Sequence, residues 1–252
     1  MERLFFRESI KEAMASPDYG VMTDRQKFAV GVVGIGGGAG ATFTAMSLAF
    51  RLAEMTSGVT FAEGRCHGHE ALSPYRLLAV DKTFREKDKR RAQTDGLNIY
   101  RKVNWQLFTP ERGLDDPGTA KAECSVRNLP GRIIIADNPV KLSDMDLITA
   151  VVDPFPPRIS AGLEIYKKIR DMAGRESTSH RRVIWLLNKS ANAAERRETE
   201  RFLKLRFDIE QETVPRKVIY EAAFSCVPSY FLCEKAVLAG INTLAEEIMK
   251  SI

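Results

Sequence analysis

The stretch that most constrains this chain is the apolar run Phe28–Val33, the glycine-rich segment Gly34–Gly40 after it, and the helical pattern from Ala41 onward. A β-branched apolar run predicts a buried strand. Five of the seven residues after Val33 are glycine. Met46, Ala49, Phe50 and Ala53 then share one helical stripe, which predicts a helix over Ala41–Met55. Glycine permits positive φ and close backbone approach, so successive N–H groups can converge on an anion where the helix dipole also favours negative charge. A tight turn alone needs only two or three glycines. A phosphate cradle is the natural use of Gly36, Gly37, Gly38, Ala39, Gly40, Ala41, Thr42 and Phe43.

The rest of the chain repeats the strand–helix alternation. Strands are predicted at Val59–Ala62, at Leu97–Tyr100 leading into Asn104–Phe108, and at Arg132–Ala136, Leu147–Val152 and Val183–Leu187. Helices are predicted over Ile159–Met172, Ala191–Leu205 and Ala236–Ile252. Leu77–Val80 reads equally as a strand or a helix end. Continuous apolar strands alternating with helices predict an α/β fold: a doubly wound, mostly parallel sheet with helices on both faces. Residues 1–27 form an N-terminal extension in which Leu4, Phe5, Ile10 and Met14 mark one face of a short helix. Residues 28–252 are expected to be a single domain, since no repeat or Ser/Gly linker interrupts them.

Composition closes several other routes. With 44% hydrophobic residues the chain can bury a core, and no apolar run reaches the ~18 residues of a membrane span. The net charge of +5 identifies no nucleic-acid partner. Asp81–Arg91 offers a contact to DNA phosphates or anionic lipid, but its six basic and three acidic residues read as a solvated face. The last helix has acidic Glu246 and Glu247 on its polar side, which suits core packing better than a membrane anchor. The four cysteines form no CxxC pair, and Cys66 with His67 and His69 lacks a fourth metal ligand. A cytoplasmic location with reduced thiols is expected.

Two phosphate-binding patterns fit the glycine turn. Gly36-x-Gly38-x-x-Ala41 matches the tolerant dinucleotide fingerprint, and Glu63 closes the second strand where a ribose-binding acid belongs. That pattern implies an NAD(P)- or FAD-dependent oxidoreductase. The other pattern is a P-loop. Gly37, Gly38, Gly40 and Thr42 match the K-G-G-x-G-K-T/S motif. The segment Arg132–Pro139 ends a strand in Asp137-Asn138-Pro139, Asp146–Pro156 ends a strand in a proline-marked loop, and Trp185–Lys189 ends a strand in Asn188-Lys189. Val214-Pro215 precedes a further helical segment. In order and spacing these elements resemble the MinD/ParA family of deviant Walker A P-loop ATPases over roughly residues 28–250. Four ordered elements outweigh one glycine motif, and the P-loop reading is preferred.

The resemblance implies ATP or ADP with Mg²⁺ as cofactor, Thr42 and Asp137 at the metal, Asn188 at the adenine, and switch positions at Glu63, Arg65, Asn138 and Pro139. It also implies a homodimer or a protein partner. The sequence departs from the motif at two positions. Gly36 stands where the signature lysine belongs, and Ala41 where the phosphate-binding lysine belongs. Glu63-Gly64-Arg65 replaces the usual D-x-D. Removing such charges costs orders of magnitude in rate. The expectation is therefore a non-canonical nucleotide-binding protein or pseudo-ATPase, with hydrolysis very weak or absent, acting as a regulator or localisation factor. Arg65 is a candidate replacement for a lost charge. An interaction scaffold that binds no nucleotide is the remaining alternative.

Overall fold

The computed structural model describes residues 27–63, 97–102, 105–110, 126–129, 131–139, 141–174, 182–190, 192–225 and 229–252. The N-terminal extension, Leu77–Val80, the Cys66 group, Asp81–Arg91 and Arg65 lie outside the described residues.

The chain forms strand β1 (Phe28–Ile35), helix α1 (Ala41–Met55), β2 (Val59–Glu63), β3 (Leu97–Lys102), β4 (Trp105–Pro110), β5 (Ile133–Asp137) and β6 (Leu147–Val152). Helices α2 (Pro156–Ala161) and α3 (Leu163–Gly174) follow, then β7 (Arg182–Asn188), α4 (Ala193–Leu203), β8 (Ile209–Gln211), α5 (Arg216–Ser225) and α6 (Ala239–Met249). Among the described residues eight strands form one sheet in the order β3-β4-β2-β5-β1-β6-β7-β8. Every neighbouring pair is parallel except β3–β4, an antiparallel edge.

The central strand β1 pairs with β5 on one side and β6 on the other. Successive side chains of a strand point to opposite faces, so a strand covered on both sides must be apolar throughout. Val30 and Val32 face a layer built from α1 and α6, including Leu48, Leu52, Ile241, Leu244 and Ile248. Ala29, Val33 and Ile35 face the other layer, with Ile159, Tyr166, Ile169 and Leu203. The last helix packs into the core on Ile241, Leu244 and Ile248, as its sequence predicts, while Ile252 is exposed.

One local prediction needs adjustment, and two regions gain detail. The predicted helix over Ile159–Met172 is two helices, interrupted at Gly162. A β-carbon on Gly162 would sit 2.4 Å from the Gly36 nitrogen, so the break lets the helices pass close under the glycine turn. The strand predicted at Leu97–Tyr100 and the segment Asn104–Phe108 that it leads into pair antiparallel as the hairpin β3–β4. Strand β8, ahead of Val214-Pro215, has only three residues and is too short to show a period.

Candidate phosphate-binding site

The site lies where the loop after β1 meets α1, at the carboxyl ends of β5, β6 and β7. Open parallel sheets bind ligands at this edge, where the connections diverge. The loop takes the conformation that its glycines allow: Gly36, Gly38 and Gly40 have φ of +90°, +75° and +97°. Gly40 caps α1 without a side-chain hydrogen bond, and the first turn of α1 has no acidic residue. The positive end of that helix dipole is thus left uncompensated by its own first turn.

Asp137 ends β5 and is 5% exposed. Its Oδ2 accepts a hydrogen bond from the Thr42 hydroxyl at 2.8 Å. Its Oδ1 accepts from the Asn138 side-chain amide at 2.8 Å. Asn138, at φ +44°, also accepts from the Gly34 N–H through its Oδ1 at 3.0 Å. Its own backbone N–H donates to the Val32 carbonyl at 2.8 Å. Aspartate, asparagine and the base of the loop form one continuous set of contacts, and the Thr42–Asp137 pair expected at the metal is in place. Pro139 follows directly, half-buried. The backbone of Glu63 pairs with Asp137 across β2 and β5.

Asn188 ends β7 and is 3% exposed. Its Nδ2 donates to the Ala39 carbonyl at 2.7 Å. A β-carbon on Gly40 would lie 2.1 Å from that nitrogen. The residue that the resemblance assigns to adenine therefore braces the loop from below.

Three charged residues meet around Gly38 that motif reading did not assign to phosphate binding. Asp153, 3% exposed, follows β6 directly. Its Oδ1 accepts from the Phe155 N–H at 3.0 Å. Its Oδ2 accepts from the Arg158 guanidinium and, at 3.2 Å, from Lys189 Nζ. Lys189 Nζ also donates to the Gly38 carbonyl at 2.5 Å. The Arg158 guanidinium carbon lies 3.5 Å from where a Gly38 β-carbon would stand. Arg158 also lies over the Phe155 ring, 5.8 Å from its centroid. The signals were Asp153 and Lys189, each one residue past a buried strand, but 36 residues separate them and no spacing rule joins them.

The position of the missing signature lysine has a structural counterpart. A β-carbon on Gly36 would stand 2.1 Å from the Arg158 carbonyl oxygen, on a backbone with positive φ. The loop has no room there for any side chain. At the other missing lysine, Ala41 is the first residue of α1 and is buried in the core.

The dinucleotide reading meets a topological obstacle. In that fold β2 lies directly beside β1, which brings its terminal acid to the ribose. Here β5 lies between them, so Glu63 ends one strand further from the loop. Among the described residues no group of three or more His, Cys, Asp or Glu could hold a metal ion, and no helix is long and apolar enough to cross a membrane.

No family model and no curated protein sequence matches the chain. Solved structures do. A plasmid partition protein of Borrelia burgdorferi B31 bound to AMPPNP superposes with a TM-score of 0.63 at 13% identity, over 90% of this chain and 100% of that one. The septum site-determining protein MinD of Pyrococcus horikoshii OT3, complexed with Mg-ADP, gives 0.59 at 18% identity, over 88% and 96%. A ParA family ATPase of Chlorobium tepidum TLS gives 0.59 at 14%, over 89% and 99%. This chain has an α/β P-loop-like fold, similar to that of the solved ParA and MinD ATPases.

Proposed function

We propose that the chain is a non-canonical MinD/ParA-type nucleotide-binding protein that holds the phosphates of ATP or ADP in the Gly36–Thr42 loop. The observation that carries this reading is a built cradle without loop lysines. Three left-handed glycines, an acid-free α1 terminus and the Thr42–Asp137 pair are all present, while Gly36 and Ala41 replace the lysines. The residues fit a phosphate tail: the loop backbone is shaped for one, and a β-carbon on Gly37 would meet no atom within 4 Å. Mg²⁺, when bound, supplies charge neutralisation at the β- and γ-phosphates. Thr42 and Asp137 are the residues to hold it, giving up part of the contact they now share. Asn138 keeps Asp137 oriented, and Asn188 keeps the loop open from below.

Without a lysine in the loop, hydrolysis by the family's ordinary route is very slow or absent. The protein then works as a cytoplasmic regulator or localisation factor, through a homodimer or a docked partner whose affinity depends on the bound nucleotide. The MinD and plasmid partition neighbours, which hold Mg-ADP and AMPPNP, support this reading. Isothermal titration with Mg-ATP and Mg-ADP, beside a phosphate-release assay, tests it. Binding without appreciable turnover, weakened by Thr42→Ala, is expected. Turnover that Thr42→Ala abolishes would refute the pseudo-ATPase part, and absence of any binding would favour the scaffold reading.

A further inference from the structure

We infer that Arg158 and Lys189, held together by Asp153, are the phosphate-binding cations of this site and take over the task of the absent loop lysine. The inference rests on the nucleotide-binding reading above. A P-loop without lysine has only backbone dipoles to meet a polyphosphate, and a compact cation is the usual partner for its charge. The structure brings two cations to one loop residue, from two different elements. Lys189 reaches over from the end of β7 and donates to the Gly38 carbonyl at 2.5 Å. Arg158 reaches over from α2, its guanidinium beside Gly38.

Both are anchored on Oδ2 of Asp153. That carboxylate is buried, so it needs partners, and it fixes the two cations at the loop before any ligand arrives. The trio carries a net single positive charge, the same as one lysine. An ammonium has three donors and a guanidinium five, more than the named contacts use. Both side chains remain about a third exposed, at 39% for Arg158 and 34% for Lys189, so their heads stand at the rim. Gly38 itself is exposed. The carbonyl contact of Lys189 holds the ammonium against the exposed turn of the loop at Gly38.

The choice of elements also has a physical reason. A side chain on Gly36 is excluded by the Arg158 carbonyl. The residue that closes off the signature position thus brings a cation of its own to the same loop.

The test uses the full chain with a fluorescent ADP analogue, displaced by Mg-ADP, Mg-ATP, inorganic pyrophosphate or AMP. The variants are Lys189→Met, Arg158→Gln, their combination, and Lys189→Arg. Melting temperatures without ligand identify any variant that fails to fold. If Lys189→Met does, Arg158→Gln carries the test, because its side chain leaves no buried gap. Losing a charge-assisted contact weakens binding about ten- to a hundredfold. That loss is expected for Mg-ADP, Mg-ATP and pyrophosphate with Lys189→Met and with Arg158→Gln, and a larger one for the pair. Lys189→Arg is expected to retain most of the affinity, and AMP to bind all variants alike. Unchanged or tighter binding of Mg-ADP by the Met and Gln variants overturns the inference and leaves the nucleotide reading intact. A wild-type chain that binds neither the analogue nor Mg-ATP overturns that reading and the inference with it.

Discussion

At the scale of single residues, Gly36 shows how backbone conformation and function interlock. The missing lysine is more than a lost side chain: the position has φ +90° and faces the Arg158 carbonyl at a distance no β-carbon tolerates. Restoring the family residue by Gly36→Lys is expected to destabilise the fold by about 1–3 kcal/mol or more, from backbone strain and displacement of α2. Urea unfolding of the variant checks this, and a stability equal to wild type would show that the loop can rearrange freely. Asn138 teaches a similar lesson. A left-handed asparagine is tolerated because its amide bridges Asp137 and Gly34, holding the aspartate against Thr42.

At the scale of elements, α1 has two tasks. Its start closes the loop, and its length packs Leu48 and Leu52, both fully buried, onto the sheet. Leu48→Ala removes apolar contact from a site with little freedom to collapse and is expected to cost about 2–5 kcal/mol, measurable by chemical denaturation. Helix α4 begins on Asn192, whose side chain accepts from the N–H groups of Ala194 and Glu195. It ends near Glu200, which accepts from the Phe207 N–H and from Arg196. These contacts, the Phe207 bond foremost, lower the Glu200 pKa below its ordinary value. A folded-state pKa that is depressed adds stability above the unfolded pKa, and this is lost as pH falls through the folded one. Stability of the wild-type chain should therefore fall between the ordinary glutamate range and more acid pH, and Glu200→Gln should flatten that part of the curve. Thermal unfolding followed from neutral pH down through the ordinary glutamate range and below it resolves the two, and identical curves would remove Glu200 from the account.

At the scale of the whole molecule, the sheet order sets what the loop can bind. With β1 between β5 and β6, the loop faces the strand ends that carry Asp137 and Asp153, and β7 with Asn188 and Lys189 comes next. A ligand bound at that edge, as proposed, would touch residues from four separate strand ends and stabilise all of them together. Saturating Mg-nucleotide, at a hundred times its dissociation constant, should add about 2.7 kcal/mol. For a chain of this size that raises the melting temperature by about 5–11 °C. A scan with and without Mg-ADP measures it, and no shift at millimolar nucleotide would speak for a scaffold with an empty cradle.

Much of this was legible in the sequence, and for definite reasons. The apolar run into β1, the glycine turn and the α1 stripe are local patterns. Local patterns report their own secondary structure because strand and helix periods differ. Strand-end Asp137 and Asn188 were legible for the same reason, since each closes a buried run. The hairpin β3–β4, the three-residue β8 and the break at Gly162 were not, because short elements carry no period and the break depends on what passes beneath it. The sequence by itself determined an α/β chain with a glycine-rich loop after its first strand and no lysine in that loop. Only the tertiary structure decided which strand lies beside β1, that Asn188 braces the loop, and that Arg158, Lys189 and Asp153 meet at Gly38. The physical reason is that strand order and side-chain encounter are set by packing between residues far apart in the chain, and no local period encodes them.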